Sequence, residues 1–155
     1  MPVRSAYPGT ALTGEVLTAL KVNNLPGGWI GYAEVAADQL SITTVVDLSG
    51  LVLNVTVGAS RRLRVTVYTS VYSTVVGDSA TLSIKEGATQ LSTRAEVFSK
   101  ASTLEGVSCA AIVTPTAGAH TYKATLERTT GTGTLLMGAS GTQPAFILVE
   151  DIGPA

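Results

Sequence analysis

From Trp29 onward the chain alternates apolar and polar residues with a period of two, and glycine, proline and Asx clusters break the alternation at regular intervals. A period of two sends successive side chains to opposite faces of a strand, so this pattern commits most of the chain to half-buried β-structure. Strands are expected at 29–36, 40–46, 51–57, 62–74, 80–86, 89–98, 106–114, 119–128, 133–140 and 145–151. Turns are expected at Asp47–Gly50, Gly58–Ser60, Gly77–Ser79, Gly87–Ala88, Pro115–Gly118, Gly131–Gly133 and Gly141–Pro144. Short strands with no helices between them exclude a βαβ sheet and point to an all-β, antiparallel sandwich of the jelly-roll kind. At 155 residues the chain has the length of one domain.

Residues 1–28 differ, and read as an N-terminal arm before a sandwich at 29–155. MPVRSAYPGT is rich in chain-extending residues, and Thr13 to Asn23 is the one stretch with helical spacing, carried by Leu12, Val16 and Leu20. Thr13 can cap this helix, and Leu25-Pro26-Gly27-Gly28 stops it. A helix of about ten residues is marginal alone in water, so it must dock, either on its own domain or on a neighbour. Leu12, Val16 and Leu20 are the candidate docking face, with Trp29 as a plug sealing the arm against the sandwich.

The strands are of two kinds. In 62–74, Leu63, Val65, Val67 and Val71 point one way and Arg62, Arg64, Thr66, Tyr68 and Tyr72 the other, as in a strand with one wet face. Towards the C-terminus this fails: Ile112 opposes Cys109 and Ala111 across its strand only in direction, not in character, and so do Leu136, Phe146 and Leu148 in theirs. Strands apolar on both faces want cover on both, and no helix long enough to supply it is in sight. The cover expected is a further copy of the chain, arranged about a threefold axis. Ile112, Leu136, Phe146 and Leu148, with Tyr68 and Tyr72, are the candidate interface.

Charge agrees with association. Only 14% of residues are charged and the net charge is −1, against roughly 25% charged in ordinary soluble domains. Near-neutral, charge-poor surfaces associate readily, and the balance supplies no electrostatic attraction for nucleic acid or anionic membrane. Neither is expected as a partner. No apolar run is long enough for a membrane-spanning helix, and the first residues lack the apolar core of a secretory signal.

Chemistry is thinly supplied. One Cys and one His exclude a disulfide framework and an intrachain Cys/His zinc site, and no metal or cofactor is expected. Cys109 sits in an apolar strand, where a thiol is inert filler. His120 reads as a structural residue near a loop, or as one of three copies gathered on an axis, where they would form a pH-sensitive or metal-binding ring. Glu150 and Asp151 are adjacent and so face opposite ways, which spoils them as a catalytic pair. GTGTLLMG (131–138) has glycines but no P-loop lysine, and reads as a turn entering a strand. Asn54-Val55-Thr56 matches a glycosylation sequon by chance. Arg61, Arg62 and Arg64 suit a subunit boundary better than a nucleic acid, which would want more positive charge. Eight aromatic residues in all supply a sugar-stacking platform poorly. An enzyme is not expected.

Several segments carry a resemblance: LPGGWIGYAEVAADQLSITTVVDLSGL (25–51), RRLRVTVY (61–68), VVGDSATLSIKEGATQL (75–91), PTAGAHTYKATLERTTGTGT (115–134) and PAFILVEDIGP (144–154). The chain resembles small virion proteins of tailed phages infecting actinobacteria, in which an N-terminal arm precedes a jelly-roll-like sandwich that assembles about a symmetry axis. The resemblance implies a virion structural protein assembled in the bacterial cytoplasm. It implies a homotrimeric capsid decoration or head-fibre protein whose partners are itself and the major capsid protein. The alternatives are a minor tail or baseplate protein bound to tail proteins, and a host-glycan-binding module acting through loops such as 75–80 or 99–105.

Overall fold

The computed structural model describes residues 27–155. Leu12, Val16, Leu20 and the expected helix at 13–23 lie outside the described residues. Ten strands follow in order: β1 (Gly28–Val35), β2 (Gln39–Ile42), β3 (Val46–Val57), β4 (Arg61–Ser73), β5 (Ser79–Glu86), β6 (Thr89–Val97), β7 (Glu105–Val113), β8 (Gly118–Thr130), β9 (Leu135–Gly138) and β10 (Ala145–Pro154).

They form a six-stranded and a four-stranded sheet, with every pairing antiparallel. The smaller sheet runs β3-β8-β5-β6. In the larger, β7 pairs β4 from Leu63 to Val71, β10 pairs β4 from Arg61 to Tyr68, and β9 pairs it from Ser70 to Ser73. Because β7 occupies one edge of β4 along this length, β9 and β10 must share the other edge, as two pieces of one interrupted strand. β1 beside β10 and β2 beside β9 form a second interrupted strand. Counted this way, the larger sheet is (β1, β2)-(β10, β9)-β4-β7, and each sheet has four positions. Of the connections, the β5–β6 hairpin alone joins neighbours within a sheet, and the links between all other positions cross between sheets. This is the double Greek key of a jelly roll.

The sandwich core follows from the alternation. Leu63, Val65, Val67 and Val71 of β4 and Ile147 and Val149 of β10 face Leu82 and Ile84 of β5 and Tyr122 and Leu126 of β8, all buried. The β5–β6 hairpin closes through Gly87-Ala88, with Glu86 paired to Thr89 and Gly87 at φ 57°, the positive φ that the first position of a type II′ turn requires.

One expected turn is absent. Asp47–Gly50 lies inside β3, which runs on from Val46 to Val57 with an irregular register between Asp47 and Val52. Gly50 at φ 80° takes up the irregularity, so that Leu48 and Leu51 both reach the core. A Cβ at Gly50 would also sit 2.4 Å from Val35 Cγ1. Here the Asp-Leu-Ser-Gly composition marks a bulge rather than a chain reversal.

Candidate functional site

The two outer faces of the sandwich differ in chemistry. On the four-stranded sheet, Asn54, Thr56, Ser83, Thr121, Lys123, Thr125 and Glu127 face outward in paired rows, with Val52 as an apolar exception. Thr121 donates to Asn54 Oδ1 at 2.6 Å and Lys123 Nζ lies 2.9 Å from Asp47. This face is polar, hydrated at Asn54, Thr56 and Thr121, with Ser83 and Thr125 covered by their neighbours.

The outer face of the six-stranded sheet carries five of the eight aromatic residues: Trp29, Tyr32, Tyr68, Tyr72 and Phe146. Register explains the gathering. Tyr32 of β1 is paired with Leu148, Glu34 with Phe146, and Phe146 in turn with Tyr68 of β4. The rings form a continuous strip: Trp29 to Tyr32 at 5.8 Å between centroids, Tyr32 to Phe146 at 6.0 Å, and Phe146 to Tyr68 at 5.7 Å. These spacings suit offset or tilted aromatic contacts, worth about 0.5–1.5 kcal/mol per pair beyond area burial. Trp29 is nevertheless 68% exposed and Tyr32 44%. Trp29 stacks on Tyr32; its expected contact with the arm lies outside the described residues.

The other candidate interface residues fall on this same face. Leu148 and Phe146 are half-buried, and Tyr68 lies beside Phe146. Ile112 is 68% exposed on the far side of β4, paired in register with Arg64. Tyr72 and Leu136, paired with each other, stand at the β9 end. At the opposite end of β4 the polar rim is basic but largely matched: Arg64 pairs with Glu150 at 3.1 Å, and Arg61 grips Asp151 through Nε at 2.8 Å and Nη2 at 2.8 Å. Glu150 and Asp151 thus point to opposite faces, each to its own arginine.

Beyond Tyr68 and Tyr72 the face ends in a cavity of about 170 Å³. Leu104, Leu136, Gly138 and Ala139 give it apolar walls, and Asp38, Tyr72, Ser140 and Gln143 its polar ones. Gly138 is required for this shape, because a Cβ there would lie 2.6 Å from Leu104 Cδ2. Asp38 Oδ1 accepts from the Ala139 amide at 2.9 Å, and Gln143 is fixed by a two-way backbone bridge to Ser140 at 3.1 Å.

The remaining reactive residues are buried or hydrogen-bonded within the sandwich. Cys109 is buried on β7 and His120 lies on β8, so the two sit in different sheets. Burial alone pushes the Cys109 thiol up to about 11, which keeps it protonated and inert. His120 Nδ1 lies 2.5 Å from Glu86 Oε1 and Nε2 lies 2.8 Å from the Thr116 carbonyl. Both nitrogens are engaged within one chain, which leaves neither for a metal shared between copies. Among the described residues, no group of three or more His, Cys, Asp or Glu is placed to hold a metal ion.

The glycine loop at 131–133 does cradle an anion, but its own. Asp78, 1% exposed, accepts from Ser73 Oγ at 2.6 Å, the Gly133 amide at 2.9 Å and the Thr132 amide at 3.1 Å. The Ser73 hydrogen bond leads in holding the Asp78 carboxyl below the usual range. Arg128 donates to the Gly133 carbonyl from the other side. Sequence inspection missed this arrangement. The signal available was two glycines flanking one threonine, at positions where a Cβ would collide with the Asp78 carboxylate.

No protein-family model matches the chain, and no curated protein matches it. Among solved structures it is similar to the Eiger TNF of S. frugiperda, at 16% identity over 83% of this chain and 95% of that one, with a TM-score of 0.48. It is similar to the VP2 subviral particle of infectious bursal disease virus, at 11% identity over 81% of this chain, with a TM-score of 0.42; the match spans 38% of that longer chain. It is also similar to a carbohydrate-binding module of Cellvibrio mixtus lichenase 5A, at 17% identity over 79% and 98% of the two chains, with a TM-score of 0.38. The jelly-roll topology rests on this chain's own strand pairings. Among the described residues no helix is long and apolar enough to cross a membrane.

Proposed function

We propose that this protein is a structural component of a phage virion, a homotrimer joined through the outer face of the six-stranded sheet. The observation that carries the reading is the contrast between the two outer faces. One is coated with threonine, serine and charge; the other carries the Trp29–Tyr32–Phe146–Tyr68 strip together with Leu148 and Ile112. Clustered aromatic and aliphatic side chains with a polar rim are the composition of an interface core. Burying them against sister copies supplies the cover that β7, β9 and β10 lack on their outer side. A threefold ring of such contacts closes on itself, which a head-to-tail contact must do to avoid open fibres.

The virion setting follows the resemblance of the sequence to actinobacterial phage proteins. Capsid decoration is the first choice, with the arm at 1–28 anchoring the trimer to the major capsid protein; a minor tail protein is the second. The protein performs no chemical step in this reading, since His120, Cys109 and Asp78 are each occupied structurally.

Sedimentation equilibrium of the full chain tests the assembly, with a species of three times the 15.8 kDa chain mass expected at micromolar concentration. A monomer at that concentration overturns it. Protein counting on purified virions separates decoration, with hundreds of copies, from a tail location, with a handful.

A further inference from the structure

We propose that the cavity at the β9 end of the aromatic face is a binding site for one neutral sugar ring. Its size restricts the occupant first. At about 170 Å³ it falls below the ~300–1,000 Å³ of sites for drug-sized ligands and cofactors, and admits a single ring or a single side chain.

Its chemistry restricts it further. None of the lining residues is cationic, and Asp38 contributes a carboxylate, so phosphate and other anions are disfavoured. A purely apolar occupant would strip water from that carboxylate without replacing its hydrogen bonds, which is costly. A polyol satisfies both parts of the wall. Its hydroxyls can donate to Asp38 and Gln143, and its C–H face can lie on Leu104 and Leu136.

The polar groups are preorganised for this. Asp38 spends Oδ1 on the Ala139 amide, and no described residue takes Oδ2. Gln143 donates through Nε2 to the Tyr68 hydroxyl at 3.3 Å, which orients its carbonyl oxygen as an acceptor. The Tyr72 side chain lines the same space and carries both a donor and an acceptor. The wall opposite is held by Leu104, which seats across Gly138 only because that residue has no Cβ. The cavity adjoins the face proposed to join copies, since Tyr72 and Leu136 line it and Gln143 meets the Tyr68 hydroxyl, so binding is read on the species that sedimentation identifies.

The test is a titration of the full chain with neutral monosaccharides: glucose, galactose, mannose, arabinose and N-acetylglucosamine. Binding is read by amide chemical shifts in two-dimensional NMR. A single ring of about a dozen heavy atoms should bind with a Kd of roughly 1 mM, given about −0.3 kcal/mol per atom. At least one sugar should move the amides of Ala139, Ser140 and Gln143. Asp38→Asn and Gln143→Ala should each weaken that response about tenfold, the scale of one lost hydrogen bond, while the sedimentation mass and circular dichroism stay unchanged. Both positions are exposed, so both variants should fold, which the circular dichroism checks. No shift with any sugar at tens of millimolar overturns the proposal, as does a response that survives both substitutions. Preferential binding of butylammonium or guanidinium would overturn it too, and would make the cavity a socket for a partner's lysine or arginine.

Discussion

His120 places Nδ1 2.5 Å from Glu86 Oε1 and Nε2 2.8 Å from the Thr116 carbonyl oxygen, two acceptors on the two nitrogens of one ring. A neutral imidazole carries one N–H and can serve only one of them, so this geometry belongs to the imidazolium. Glu86 ends β5, His120 lies near the start of β8, and Thr116 lies in the β7–β8 loop, so the protonated ring ties that loop to the end of the smaller sheet's two central strands. The Glu86 hydrogen bond, then the Thr116 carbonyl, raise the His120 pKa against an opposing burial effect.

A pKa raised above the unfolded value of 6.5 stabilises the fold fully below that pH and loses its contribution as pH rises through the folded pKa. His120→Asn should therefore lower Tm most near pH ~5.5, and the gap to the parent should shrink by pH ~8.5. Thermal melts of both proteins across this range check it; a gap that widens with pH contradicts the assignment.

The Asp78 knot makes the opposite prediction. Its carboxyl is held below the usual value of 3.8, so its contribution is present above that pH and is lost as pH falls through the lower folded pKa. At neutral pH, Asp78→Ala leaves the Ser73 hydroxyl and the Thr132 and Gly133 amides without their acceptor. The expected loss is about 2–4 kcal/mol in urea unfolding. Gly133→Ala should be comparably damaging, because its Cβ would lie 2.4 Å from Asp78 Oδ2 and 2.8 Å from Ser73 Oγ. A Gly133→Ala variant as stable as the parent would show that the loop gives way.

If copies meet over the aromatic strip, a charge placed there is desolvated on assembly and one on the other sheet is not. Phe146→Asp and Leu148→Asp should turn the trimer into folded monomer, a shift of more than about 3 kcal/mol per buried charge. Thr121→Asp, on the hydrated face, should leave the mass unchanged. Sedimentation and circular dichroism on the three variants read both effects.

Cys109 should be silent in the native state. With its thiol pushed up to about 11 and its side chain against the core, a thiol reagent at pH ~8 should label it only after denaturant opens the sandwich. Rapid native labelling would mean that β7 opens readily from β4.

Much of this molecule was legible strand by strand. In 62–74 the inward set Leu63, Val65, Val67 and Val71 and the outward set Arg62, Arg64, Thr66, Tyr68 and Tyr72 are read directly from their parity, and the burial agrees for each of these, while Ser70, outward by parity, is buried. The doubly apolar strands at 106–114 and 145–151 pointed to the face that leaves Ile112 exposed. The bulge at Gly50 was less legible, because turn composition and bulge composition are the same. The Asp78 knot was not legible, and of the aromatic strip only Phe146 and Tyr68 were grouped by their sequence, with Trp29 assigned to the arm. Each joins residues from separate parts of the chain, and a count of eight aromatics says nothing about where they meet.

The alternation alone determined which side of each strand faces inward, since side-chain direction along a strand depends only on the local backbone. It also determined the all-β class, for want of any other way to bury that pattern. Which strand lies beside which was settled by the folded chain, through backbone pairing between segments as distant as β1 and β10. That pairing set Trp29 and Tyr32 next to Phe146, and Phe146 next to Tyr68, because register across a sheet is a property of two strands and is written in neither one.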